Sequence, residues 1–154
     1  MNRRNALLST GTAVALTVTT ALLQGCATPV GGPFDASIQP KQGQANVYLY
    51  RRSVLYASGQ SFTAQLGKQP AEELANGSFL LMTTPAGPQT LSVKPGAIAK
   101  SYEQTWEAVE GRTYYFEFVL PSYLLGNIVH LGSDLAVRSE AVAQRDMKLL
   151  QGMK

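Results

Sequence analysis

From Ala45 to Leu120 the apolar residues fall into short β-type runs, broken by turn residues roughly every ten positions. Val47 and Leu49 alternate with Tyr48 and Tyr50, so each pair takes one face of a strand. After Gly59-Gln60, the residues Phe62, Ala64 and Leu66 alternate with Ser61, Thr63 and Gln65. Asn76-Gly77 is a turn before the run Phe79 to Thr84, and Pro85-Ala86-Gly87 turns again into Leu91 and Val93, which Pro95-Gly96 ends. Tyr102 to Val109 carries Trp106, and Glu110-Gly111 reads as a hairpin turn. Tyr114 to Leu120 then runs to Pro121. This spacing predicts an all-β sandwich of about seven or eight strands.

Two segments break that pattern. Ser139 to Gln151 has an N-cap residue, Glu140 where the helix dipole favours an anion, and Arg145 and Lys148 later. Val142, Ala143, Met147, Leu149 and Leu150 make an apolar stripe, so one short C-terminal helix is expected against the sandwich. Ala27 to Gln44 contains Pro29, Gly31, Gly32, Pro33, Pro40 and Gly43, with only Val30, Phe34 and Ile38 as sizeable apolar residues. Such a composition predicts a flexible tether, spanning about 23 Å as a coil of roughly 18 residues.

The N-terminus has the layout of an export signal: Arg3 and Arg4, then the uncharged, mostly apolar Ala6 to Leu23. Leu23-Gln24-Gly25-Cys26 resembles the lipobox of bacterial lipoproteins, with Gln24 where a small or aliphatic residue is commoner. The resemblance implies lipidation of the Cys26 thiol, cleavage between Gly25 and Cys26, and acylation of the new amino group. Ala27 in place of Asp implies sorting to the outer membrane, on its periplasmic face. Arg3-Arg4 before Asn5, Ala6 and Leu7 also resembles a twin-arginine signal, so two export routes stay open. The expected organisation is a signal peptide over residues 1–25, a lipidated Cys and tether over 26–44, and one domain over 45–154.

Composition narrows the chemistry. A chain of 154 residues suits one ordinary domain. A single Cys and a single His exclude a disulfide framework and a zinc site built from those residues within one chain, and no metal or cofactor is implied. The formal net charge is +3, but cleavage after Gly25 would remove Arg3 and Arg4 and no acid, leaving +1. Most of the basicity belongs to the signal, and no basic stripe points to a nucleic acid. The expected partners are the membrane, through the anchor at Cys26, and an envelope protein or glycan.

Ala45-x-Val47-Tyr48-x-Tyr50-Arg51, then Asn76-Gly77-Ser78-Phe79, Pro85-Ala86-Gly87, Thr90-Leu91-Ser92-Val93 and Gly111-Arg112-Thr113-Tyr114-Tyr115, follow one another in order. Together they resemble a family of bacterial envelope lipoproteins known as a domain of unknown function. The resemblance covers about residues 45 to 120. It implies a sandwich of immunoglobulin or transthyretin type in the envelope, and it implies no activity. Gln89 stands where the family often has His, so no role of that His carries over.

Four groups of residues are candidates for chemistry. His130, with Asp134 four residues on, is the one base for a nucleophilic hydrolase, but Ile128 to Gly132 carries no nucleophile-elbow pattern. Glu103, Glu107, Glu110 and Glu117 offer carboxylates, expected on a solvated face, with Glu107 and Glu117 on the same sheet. Tyr48, Tyr50, Arg51 and Arg52 are the candidate ligand-binding residues: an aromatic and basic patch would stack on glycan rings or pair with lipid phosphates. The plainer reading puts both tyrosines under cover and both arginines at the wet end of the strand. Ser122 to Gly132 reads as a sandwich hairpin around Gly126-Asn127, or as a hydrophobic loop that docks a partner. The expectation from these residues is a structural or binding accessory of the Gram-negative envelope rather than an enzyme. Its rivals are an envelope hydrolase using His130 and a subunit of a multiprotein envelope complex.

Overall fold

A computed structural model describes residues 31–55, 57–94, 101–120, 122–124, 127–130 and 132–153. In chain order its elements are β1 (Gln44–Arg51), β2 (Phe62–Leu66), β3 (Glu72–Leu74), β4 (Ser78–Pro85), β5 (Gly87–Lys94), β6 (Tyr102–Ala108), β7 (Thr113–Val119), β8 (Ser122–Leu124), β9 (Asn127–His130), β10 (Asp134–Val137), α1 (Glu140–Met147) and β11 (Gln151–Gly152). One sheet of five strands has the order β10-β7-β1-β4-β11, the other of four has the order β3-β2-β5-β6, and β8 and β9 pair apart. The molecule is an all-β sandwich with one short C-terminal helix. It holds more strands than the expected seven or eight, because β3, β10 and β11 are too short to display a period. The order departs from the immunoglobulin one, in which the first two strands share a sheet; here β1 and β2 lie in opposite sheets.

β1 is the central strand of the larger sheet, antiparallel to β4 and parallel to β7. Its inner residues Val47 and Leu49 join Leu80, Met82, Phe116 and Phe118 against Phe62, Ala64, Leu66, Leu91 and Val93 of the smaller sheet. The outer face of the larger sheet is covered too. Tyr48, Tyr50, Phe79 and Tyr115 form a second core with Ala143 and Met147 of α1, Leu150, and the partly buried Phe34. Cover on both faces leaves every residue of β1 after Gln44 buried, and its middle, Val47 to Tyr50, is a continuous apolar run.

Two turns carry the chain between layers. Gly87, at a φ of 115° that a side chain disfavours, leads from β4 in one sheet to β5 in the other. Glu110-Gly111 does the same between β6 and β7, so it is not the expected hairpin turn. The reason lies in the partner: the Gly111 amide donates to the Gln44 carbonyl and Asn46 donates to the Arg112 carbonyl, which seats β7 beside β1.

Residues 31–38 depart from the expected coil. The Gly31 amide donates to the Gly152 carbonyl at 2.7 Å, and the Gly152 amide returns a bond to the Gly32 carbonyl at 2.9 Å. Phe34 packs edge-on against Tyr48 and Phe79, with ring centroids 5.3 and 6.0 Å away. The Ser37 hydroxyl and amide both donate to Asp35 and hold its carboxyl below the usual range. One aromatic anchor and a few backbone bonds thus lay a strap across β1 and β4, and the folded unit includes residues from Gly31 onward.

α1 is shorter than predicted. Ser139 sits at the N-cap without a side-chain cap bond, and the helix ends at Met147, beyond which Leu150 turns back into the outer core while Leu149 is 87% exposed.

Candidate functional site

β1 and β7 run parallel and finish side by side, after which their chains separate toward β2 and β8. The gap between the departing chains is a cleft of about 250 Å³, lined by residues 51–54 on one side and 117–120 on the other. A crevice of this kind forms for the same reason at the carboxyl ends of parallel strands in open α/β sheets.

Arg51 continues the inward alternation of Val47 and Leu49, so its side chain enters the sandwich and only 1% of the residue is exposed. Its Nη1 donates to the Gln60 carbonyl at 2.5 Å and its Nη2 to the Ala57 carbonyl at 2.6 Å. The guanidinium carbon lies 4.6 Å from the centre of the Phe62 ring, a cation–π distance. Nε has no hydrogen-bond partner. Ala57, whose carbonyl it uses, sits at a φ of 66°, an uncommon left-handed conformation for a residue with a side chain. Burial pulls the Arg51 pKa down to about 10. All 10 acidic residues of the chain lie among the described residues, and none of them forms an ion pair with Arg51.

Arg52 turns the other way. Its Nε donates to Glu117 Oε1 at 2.5 Å, while Nε of Arg138, just past β10, donates to Oε2 at 2.7 Å. Register places Glu117 between Tyr50 on β1 and Ala136 on β10, and its side chain is 3% exposed. The Arg138 pKa is raised, chiefly by that hydrogen bond to Glu117. Burial first, then the negative charges of Glu117 and Asp146, push the Tyr50 phenol well up. Burial, with Tyr115 and Asp35 nearby, lifts Tyr48 to about 12.

The four candidate ligand-binding residues therefore separate. Tyr48, Tyr50 and Arg51 are buried at 2%, 0% and 1% exposure, and only Arg52, with 55% of its side chain exposed, reaches solvent. Tyr48 stacks on Tyr115 at 5.5 Å beneath the strap, so neither tyrosine is free to stack on a glycan ring. The surface patch is corrected to one exposed cation beside one buried cation, because α1 and Phe34 cover the face that Tyr48 and Tyr50 share.

The carboxylates also differ from expectation. Glu117 is buried in the larger sheet while Glu107 lies on β6 in the smaller one, so they do not share a solvated face. Sequence reasoning missed the role of Glu117, although an acid inside the apolar run Tyr114 to Leu120 is a signal for a buried ion pair. Glu110 accepts the Gly43 amide at 2.6 Å and clips the turn before β1. His130 ends β9 opposite Ser122 in the β8–β9 hairpin, and its side chain lies outside the described residues, as do Gly25 and Cys26. Among the described residues no three His, Cys, Asp or Glu side chains cluster as a metal site would need, and no helix is long and apolar enough to cross a membrane.

A second hollow of about 360 Å³ lies between the strap and the start of β7, where Arg112 and Glu140 bring opposite charges to its wall. No protein-family model matches the chain, and no curated protein matches it.

Proposed function

We propose that this chain is a lipid-anchored binding accessory of the Gram-negative envelope, held at the periplasmic face of the outer membrane through acylated Cys26. Leu23-Gln24-Gly25-Cys26, around the single Cys of the chain, is the observation that carries this reading. Order and spacing over residues 45–120 resemble the envelope lipoproteins described above and favour the same location. Each buried acyl methylene contributes about 0.8 kcal/mol, so two or three chains hold a protein on a bilayer stably.

The strap sets how the domain is held. Because the folded unit includes Gly31, only five residue steps separate it from Cys26, at most about 18 Å of extended chain. The sandwich then rides close to the bilayer surface rather than on a long leash. Binding suits the residues better than catalysis does: both oxygens of Glu117 are taken by guanidinium donors, while Arg51 carries a buried charge with no counter-ion.

Exchange of Cys26 tests the proposal. C26S should abolish incorporation of labelled palmitate and block cleavage after Gly25, leaving a product that keeps residues 1–25 and carries no lipid. Palmitate labelling that persists in C26S would overturn the anchor.

A further inference from the structure

We propose that the cleft at the ends of β1 and β7 binds a phosphate group, with Arg51 and Arg52 as its cationic ligands. The charge count comes first. The cleft is lined by two guanidiniums, Arg51 and Arg52, and one carboxylate, Glu117, which Arg138 also pairs from outside, so Arg51 is left without a counter-ion. Glu117 lines the cleft, but both its oxygens already receive guanidinium donors, so it does not repel an incoming anion as a bare carboxylate would.

Donors come second. Arg51 is almost wholly buried, lines the cleft, and keeps one N–H without a partner. A buried guanidinium with neither a counter-ion nor a complete set of acceptors is costly unless something completes it, and a phosphate oxygen does both at once. Arg52, half exposed at the mouth, supplies a second charge, and Ser53 stands next to it. Size and lining come third. About 250 Å³ admits a phosphate with a few attached atoms, and Val54, Val119 and Leu120 give the cleft an apolar wall beside the charges. Free phosphate and a phospholipid headgroup share this chemistry. The headgroup source rests on the envelope reading given above, whereas phosphate binding rests on the cleft alone.

The test follows the arginine Nε–Hε signals by NMR in the isotope-labelled mature lipidated chain, held in nonionic detergent. It is titrated separately with inorganic phosphate and with dihexanoylphosphatidylglycerol. The expected result is a saturable shift of the Arg51 and Arg52 signals with at least one probe, while Arg145 stays put. S53D, which sets a like charge at the mouth without removing a packed group, should weaken binding about tenfold or more. R52Q should weaken it as well and leave the Arg51 signal in place. Saturation by phosphate assigns a free anion, and saturation by the lipid alone assigns a headgroup. No saturable shift at Arg51 with either probe, or an S53D variant that binds as well as the parent, would overturn the proposal. Binding by a chain that proved to carry no lipid would leave the cleft assignment standing and remove only the anchor.

Discussion

Glu117 and Arg51 are opposite solutions to burying a charge. Glu117 has two cationic donors, and both arginines keep a share of solvent at 55% and 32% side-chain exposure. E117Q should therefore cost about 2 kcal/mol in urea unfolding, below the value for a fully buried pair because Arg52 and Arg138 can turn outward. R52Q should cost less than about 1 kcal/mol, since Arg138 still satisfies one oxygen. Alkaline pH separates Arg51 from the tyrosines. Tyr48 is raised from 10.0 to about 12, and Tyr50 and Tyr115 are raised too, so above pH 10 the unfolded chain loses phenol protons first and stability falls. Arg51 is lowered from 12.5 to about 10, so over that window the unfolded chain holds its proton longer and stability gains. Three phenols against one guanidinium give a net decline. Urea midpoints across pH 10 to about 12 should fall, more shallowly in Y48F and more steeply in R51M.

Among the elements, the long strands were legible and the short ones were not. β2 and β5 show alternation, and β1, β4, β6 and β7 show apolar or aromatic runs between turn residues, and their approximate positions follow from that. Gly87 and Gly111 mark turns in the sequence, but a turn carries the same residues whether the chain returns beside itself or crosses to another sheet. The strap was hidden for a different reason: glycine and proline describe what a segment does alone, while Phe34 and the Gly152 backbone decide where it docks. F34A should cost about 1–2 kcal/mol and strip amide-exchange protection from Gly31 and Gly152, leaving β1 protected. M147A, which opens a cavity beneath α1, should cost about 2–4 kcal/mol, whereas S139A should cost less than about 0.5 kcal/mol because its hydroxyl makes no cap bond.

At the scale of the whole molecule, the sandwich carries a charged cleft at the ends of β1 and β7, and the proposed lipid would join it to a bilayer. The arginines of that cleft were legible as cations, but not their fates. Whether Arg51 points inward depends on the register of β1, and whether Tyr48 is covered depends on residues as distant as Phe34 and Met147. The acyl anchor is the claim on which location, partner class and the reach of the strap all turn. Intact-mass analysis of the protein purified from native membranes tests it most directly. The expected product is a chain that begins at Cys26 and carries the added mass of a diacylglyceryl group and an amide-linked acyl chain. A chain that begins elsewhere, or a Cys26 thiol without lipid, would contradict it.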